Sequence, residues 1–281
     1  MVILFASAAT AVEAQEVRWT GTASYSRGSY VFDAPTQTFA VFTGLGLTLG
    51  PVDFSGSLPL VLQNSQLVSQ VGGATLPTGG PDNGVVSGRG SGQTLGTGKG
   101  SGSGTGGGTT SDVIYRDAFE WAVGDPYVNA AATLYEGDGL LRSFQAHGST
   151  KAPLRDLSSG VGTGEWDFGA GGSAVASVGD TYAFVDLSYW WYGDLPELEL
   201  RDGLAYGVGL SRSVLDAKGS VMVSFYGSAA PIASMERPAS VGLGLGYTPR
   251  LGRSLSGGVV VGLSESSPDL AVYAGWSLRI H

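Results

Sequence analysis

The stretch of sequence that decides the fold is residues 240–248, SVGLGLGYT. Apolar side chains alternate here with glycine and small polar side chains, and successive side chains of a β-strand point to opposite faces. One face of this strand is therefore apolar and the other is small. Such a strand is typical of a wall that meets lipid on one side and encloses a lumen on the other.

The same period of two recurs along most of the chain. It predicts twelve strands, at residues 17–25, 39–49, 52–62, 127–135, 140–150, 165–177, 181–192, 204–213, 220–227, 240–248, 255–264 and 270–280. Residues 112–123 could also form a strand. Bacterial single-chain barrels have an even number of strands, so we place this segment in a loop, as a helical turn or a segment folded into the barrel mouth.

The composition favours the same fold. Charged residues make up 14% of the 281 residues, whereas an ordinary soluble domain has about 25%. No stretch approaches the roughly 18 uninterrupted apolar residues of a transmembrane helix. The sequence therefore predicts an all-β protein, a transmembrane antiparallel β-barrel of twelve strands in the lipid bilayer of the bacterial outer membrane. The net charge of −9 argues against nucleic acid as a partner, because a phosphate-binding surface needs a basic excess.

The first residues of the chain resemble an export signal. Residues 1–12 are apolar or small, and Val12-Glu13-Ala14 loosely fits the small-residue rule for signal peptidase. We therefore predict a signal peptide at residues 1–14, followed by a single barrel domain at residues 15–281. A buried N-terminal strand is the alternative. Export to the outer membrane also implies the outer-membrane assembly machinery as a partner.

Residues 63–126 break the alternation. Glycine, serine and threonine dominate residues 98–108, and such a stretch buries too little apolar surface to offset the entropy of ordering it. We predict one long Gly/Ser-rich extracellular loop. It is either a mobile surface loop or a plug inside the lumen, with apolar content from Val113, Ile114, Tyr115, Phe119 and Trp121.

The parity of each strand predicts which side chains meet lipid. The predicted apolar band consists of Phe168, Ala170, Val185, Leu187, Val208, Leu210, Val223, Phe225, Leu243, Leu245, Val259, Val261, Val272 and Ala274. The strand that begins at Leu270 should close the barrel against the strand that begins near Val17. Pro59 has inward parity and removes one ladder hydrogen bond, so we expect a local bulge or strand bend there.

Aromatic residues lie at the expected strand ends. Trp190, Trp191 and Tyr192 end one strand on the loop side, while Trp19 and Tyr247 lie on the turn side. This placement is typical of the aromatic girdles at the two lipid headgroup levels. A sugar-binding platform at Trp190 and Trp191 is less favoured, because consecutive strand residues face opposite ways.

Polar residues of inward parity are the candidate site. The pore-lining or selectivity candidates are Gln145, His147, Lys151, Glu165, Asp167 and Asp186. They either select what passes or pack the lumen wall. Glycines at inward positions of later strands, such as Gly207 and Gly244, should enlarge the lumen.

Chemistry at this site is not predicted. His147 and Ser149 share the inward face as a hydrolase would need, but their spacing is also the ordinary alternation of a lumen wall. We therefore predict no catalytic residue. With two histidines and no cysteine in the chain, we predict neither a metal site nor a cofactor.

Two stretches resemble a known family. The first comprises KAP at 151–153, GTGEWDFGAG at 162–171 and VGD at 178–180 with the strand that follows; the second comprises YSRGSY at 25–30 and SLPL at 57–60. They are similar to the outer-membrane transporter-like family named for the MetA pathway of phenol degradation. The resemblance implies a twelve-stranded barrel that conducts small molecules, mainly hydrophobic or aromatic compounds. It supplies no set of binding residues, because its motifs are structural.

The sequence thus predicts a channel or transporter, not an enzyme, for a small and hydrophobic or aromatic solute. A surface structural or adhesive outer-membrane protein without transport activity is the alternative.

Overall fold

The computed structural model of the protein describes residues 16–30, 32, 35–72, 74–79, 119–154, 161–195 and 198–280. The predicted signal peptide and most of the predicted Gly/Ser-rich loop, including Val113, Ile114 and Tyr115, lie outside these residues. No helix within the described ranges is long and apolar enough to cross a membrane. The strands are β1 (Glu16–Gly28), β2 (Thr36–Leu49), β3 (Val52–Gln63), β4 (Ser69–Val71), β5 (Ala74–Leu76), β6 (Glu120–Val123), β7 (Tyr127–Glu136), β8 (Leu141–Lys151), β9 (Asp167–Val178), β10 (Thr181–Trp191), β11 (Gly203–Val214), β12 (Gly219–Ser228), β13 (Ala239–Arg250), β14 (Arg253–Gly262) and β15 (Leu270–Arg279).

The wall is a closed antiparallel barrel. Neighbouring strands pair along the chain, and β1 pairs with both β2 and β15, which closes the ring as predicted. β6 and β7 both pair with β3 and together form one interrupted wall strand, so the wall has twelve strands. We call the end with connections at 50–51, 137–140, 179–180, 215–218 and 251–252 the turn end, and the opposite end the loop end.

We expected residues 112–123 to form a helical turn or to fold into the mouth. The part of this segment that the structure describes does neither. Residues 120–123 form β6, which pairs with the loop-end part of β3. Trp121 is consequently 71% exposed on the outer surface, and the Phe119 ring lies 5.9 Å from that of Phe39. The strand count stays even because β6 continues toward β7 in the same wall position and adds no thirteenth strand.

The interruption between β6 and β7 faces Pro59 of β3. The Pro59 carbonyl accepts a hydrogen bond from the Gly124 N–H at 2.8 Å. The N–H and C=O of a strand residue point to the same neighbouring strand, so the N–H that Pro59 lacks is also missing on the side of β6 and β7. The register between β3 and the facing strand shifts by one residue across the break. The bulge expected at Pro59 is present, in the facing strand, and it brings Asp125 to the inner side of the wall.

The outer surface carries the predicted apolar band. Every member of the band has outward parity, and all of them except the half-buried Phe225 are exposed. Phe39, Leu45 and Leu60 extend the band onto β2 and β3. A continuous apolar belt around a closed barrel is the surface that contacts lipid. The protein is therefore a β-barrel of the bacterial outer membrane.

Inward glycines leave room for rings that lie against the inner wall. The Tyr226 ring passes 2.8 Å from the point that a Cβ at Gly207 would occupy, and the Tyr273 hydroxyl lies 2.7 Å from the equivalent point at Gly258. Because these glycines have no side chain, an aromatic ring from the neighbouring strand can lie flat against the inner wall.

Two inward glycines of β2 differ in the room they leave for a side chain. A Cβ at Gly44 would collide with the backbone carbonyl of Gly56 on β3, whereas the nearest neighbours of a Cβ at Gly46 lie 3.8 Å away. We expect Gly44→Ala to lower the free energy of unfolding by about 1–3 kcal/mol, because backbone must move. The matched Gly46→Ala should stay within about 0.5 kcal/mol of wild type. Urea unfolding in lipid vesicles measures both, and equal stabilities would contradict the packing of β2 on β3.

Candidate functional site

A short hairpin occupies the loop end of the lumen. Its strands, β4 and β5, pair with each other and not with the wall. The Gly72 N–H at its tip donates to Asp167 at the start of β9, and the Gln70 carbonyl accepts from Lys151 at the end of β8. Both of these wall side chains have inward parity, so the hairpin lies inside the mouth. We call it the mouth hairpin.

An apolar cluster holds the mouth hairpin against the outer loops. Its buried members are Val71, Leu76, Leu195, Leu198, Leu200 and Ile232, with Phe32, Tyr192 and Met235 packed against them. Burying a large aliphatic side chain contributes about 1.5–3 kcal/mol, so the cluster is a substantial anchor. Residues near 69–76 therefore lie in the mouth of the barrel, whereas Phe119 and Trp121, two residues that a plug would have contained, lie on the outer surface.

Behind the hairpin lies a buried ion cluster formed by Asp125, Lys151 and Asp167. Lys151 Nζ lies 2.8 Å from Asp167 Oδ2 and 3.7 Å from Asp125 Oδ2. The same ammonium donates to the Gln70 carbonyl at 3.2 Å and to the Thr163 hydroxyl. None of the three ionisable residues is more than 1% exposed. One ammonium thus faces two carboxylates, and neutral loop groups supply further hydrogen bonds, away from water.

The two carboxylates of the buried ion cluster also accept hydrogen bonds from loop backbone. Asp167 accepts from the Gly72 and Gly193 N–H groups, and Asp125 accepts from the Thr163 N–H. The cluster therefore joins the wall, the mouth hairpin and two outer loops. Lys151 and Asp167 have the inward parity expected for pore-lining residues, but the hairpin and loops cover them, so they do not line an open path.

His147 and Asp186 face each other deeper in the barrel. His147 Nε2 on β8 lies 3.7 Å from Asp186 Oδ2 on β10, with β9 between them. Their side chains are 23% and 39% exposed although both point inward. Gln145 lies on the same face and donates to the Thr133 hydroxyl at 3.1 Å. Of the predicted set, these three residues line the lumen.

Glu165 joins neither group. β9 begins at Asp167, and Glu165 lies in the loop before it, where its side chain is exposed. The predicted set of pore-lining residues is therefore divided by the structure. The parity argument extended β9 two residues too far toward the loop end.

Three of the predicted girdle residues lie on the outer surface. Trp19, Trp191 and Tyr247 all point outward and are exposed. The Trp19 ring packs edge-on against Trp276, with ring centroids 5.7 Å apart. Such positions suit amphipathic rings at the level of the lipid headgroups.

Trp190 and Tyr192 point the other way. Their rings stack with an interplanar angle of 5° and lie against Gly72 of the mouth hairpin. Burial raises the pKa of Tyr192, and the nearby carboxylates of Asp167 and Asp202 raise it further. Trp190 and Tyr192 are therefore not girdle residues, because the alternation of side chains along the strand places them on the inner side of the wall.

Sequence reasoning could have identified Tyr226 and Tyr273 as further residues on the inner face of the wall, but not Asp125. Tyr226 and Tyr273 have inward parity on strands that were predicted correctly, so the period of two was sufficient to find them. Asp125 gave no such signal, because it lies between Gly124 and Pro126 inside a predicted loop. A Gly-Asp-Pro sequence normally indicates a turn.

Among the described residues, the two side chains that a hydrolase would use have other partners. The Ser149 hydroxyl donates to the Asn129 side chain at 2.7 Å, and His147 lies beside Asp186. Within the described part of the chain, no group of three or more His, Cys, Asp or Glu residues could hold a metal ion.

Comparison with known proteins supports the fold. No protein-family model matches the chain, and no curated protein matches it in sequence. The solved structure of the COG4313 outer membrane channel from Pseudomonas putida is similar, with a TM-score of 0.65 at 9% sequence identity over 96% of this chain and 97% of that one. At this identity the likeness concerns the fold alone.

Two other barrels are less similar. The KdgM porin has a TM-score of 0.47 at 7% identity, over 95% of this chain and 99% of its own. The CymD monoaromatic hydrocarbon channel has a TM-score of 0.44 at 7% identity, over 96% and 89%. The family suggested by the sequence motifs is not named in these matches, so that resemblance stays a prediction.

Proposed function

We propose that the protein is a channel that conducts small molecules across the outer membrane. The observation that carries the proposal is Asp186, which points inward from the middle of β10 and is nevertheless 39% exposed. An inward side chain can be exposed only where the barrel interior is hollow. A hollow interior in a closed twelve-stranded wall is a path for solutes.

The solute class that we propose is small hydrophobic or aromatic molecules. Rings of Phe184, Tyr226 and Tyr273 line the inner wall, and the residues beside them are mostly glycine and serine. Aromatic rings offer apolar contact, while a few hydroxyl groups orient a solute. The resemblance of the loop motifs to the MetA-named family supports the same class.

The mouth hairpin should limit the conductance of this channel. Replacing residues 69–76 with a Gly/Ser linker is expected to raise single-channel conductance severalfold, because the hairpin occupies the loop end of the lumen. Planar-bilayer recording measures the change. Replacing the turn at residues 215–218, which lies outside the lumen, is the control, and an equal conductance in all three proteins would contradict the position of the hairpin.

Liposome swelling tests the function itself. Vesicles that contain the folded protein should swell faster in a neutral aromatic solute than in a sugar of equal size, and faster than vesicles without protein. If no solute enters, the channel proposal fails, and the surface structural or adhesive alternative becomes the better account of an outer-membrane barrel.

A further inference from the structure

We propose that Asp186, beside His147 in the lumen, forms a charge filter that favours cations, an inference that rests on the proposed channel function. The Asp186 carboxylate supplies the charge, and His147 lies 3.7 Å from it on the far side of β9.

The pair lies in the hollow part of the barrel, partly exposed to the lumen. Asp186 lies at the middle of β10 and His147 lies in the loop-end half of β8, and both side chains are exposed to the lumen. Their closest atoms are 3.7 Å apart, which is longer than a hydrogen bond. The carboxylate therefore keeps acceptor positions that face the lumen. A negative charge in such a confined space acts on ions through a lower effective dielectric than in bulk water.

The surroundings do not neutralise the carboxylate. Among the described residues, the neighbouring strands present Ala131 from β7, Gly171 and Ser173 from β9, Gly207 from β11 and Tyr226 from β12. Only Tyr226 in this set is ionisable, and a phenol carries no charge near neutral pH. The Tyr226 ring and the Asp186 Cβ lie on either side of the space at Gly207, 2.8 and 3.9 Å from the point that a Cβ there would occupy.

Three other sets of inward charges are present among the described residues. Arg18 lies 2.9 Å from Asp53, and Arg279 pairs with Glu16, both at the turn end. The buried ion cluster lies at the loop end, out of contact with the lumen. His147 and Asp186 lie between these two levels of the wall, so among the described residues they are the charges in the middle of the barrel.

Reversal potentials in a KCl gradient across a planar bilayer at neutral pH test the filter. We expect wild type to prefer K⁺ over Cl⁻, and Asp186→Asn to reduce the permeability ratio about fivefold. Asp186→Glu keeps the charge and should keep the preference. His147→Gln leaves the carboxylate in place and should keep it as well.

The controls separate the filter from the channel. Asp180→Asn removes the same charge from an exposed turn outside the lumen and should leave the reversal potential unchanged. Only protein with the electrophoretic mobility of a folded barrel is recorded, and Asp186→Ser, which removes the same charge, decides the question if Asp186→Asn does not fold. Conductance without any difference in reversal potential among the variants overturns the filter and leaves the channel. Absence of conductance in wild type overturns both.

Discussion

Replacing Lys151 with methionine is expected to lower the free energy of unfolding by about 3–5 kcal/mol, because two buried carboxylates lose their cation. Lys151 Nζ contacts both Asp125 and Asp167, and its side chain is fully buried. Methionine keeps most of the apolar stem of lysine, so the loss reflects the charge more than a cavity. Urea unfolding of the folded barrel in lipid vesicles gives the value.

The same variant should conduct better than wild type, because the buried ion cluster holds the mouth hairpin in the lumen. Release of the hairpin would let water reach Asp125 and Asp167 and would recover part of the lost stability. Stability and conductance are therefore measured on one preparation. Lys218→Met removes an exposed lysine at the turn end and should change stability by less than about 0.5 kcal/mol. A Lys151→Met protein with wild-type stability and conductance would show that the cluster anchors nothing.

Val223→Arg is expected to destabilise the barrel by about 2–4 kcal/mol, because it places a cation on the lipid face near the bilayer midplane. Val223 lies in the middle of β12, is exposed, and has Leu210 and Leu243 as its outward neighbours on the flanking strands. Unfolding in vesicles of a single lipid measures the cost.

Leu251→Arg is the matched control for the lipid face. Leu251 lies in a connection at the turn end and is 94% exposed, so an arginine there meets water or headgroups at a cost of about 0–1 kcal/mol. An equal effect of the two substitutions would place Val223 outside the hydrocarbon layer and would contradict the assigned outer face.

The faces of the wall strands could be predicted because the alternation of side chains is a local property of the sequence. In the strand at residues 240–248 each leucine is flanked by glycine, so the outward and inward faces are evident without any neighbour. A one-residue slip would exchange the two faces of a strand, and no strand of the predicted lipid band was assigned to the wrong face. Closure of β15 on β1 followed from the even strand count and the shared turn-end position of the two strands.

The mouth could not be predicted in the same way. Lys151 was correctly assigned an inward parity, yet its carbonyl partner Gln70 is 81 positions away in the chain. Asp167 accepts from Gly72, which is 95 positions away. No periodic pattern connects such residues. Whether Lys151 and Asp167 select solutes or anchor the mouth as buried residues therefore depends on which loop covers them.

The sequence by itself determined the number of wall strands, their faces and the closure of the wall, because each wall strand must present an apolar face to lipid and this demand repeats every two residues. Only the tertiary structure decided that residues 69–76 fill the mouth, that Trp190 stacks inside while Trp191 meets the membrane, and that Lys151 is buried while Asp186 is exposed. These outcomes depend on contacts between distant loops inside one confined space. Parity can state that a side chain points inward, but what it meets there is set by the rest of the chain.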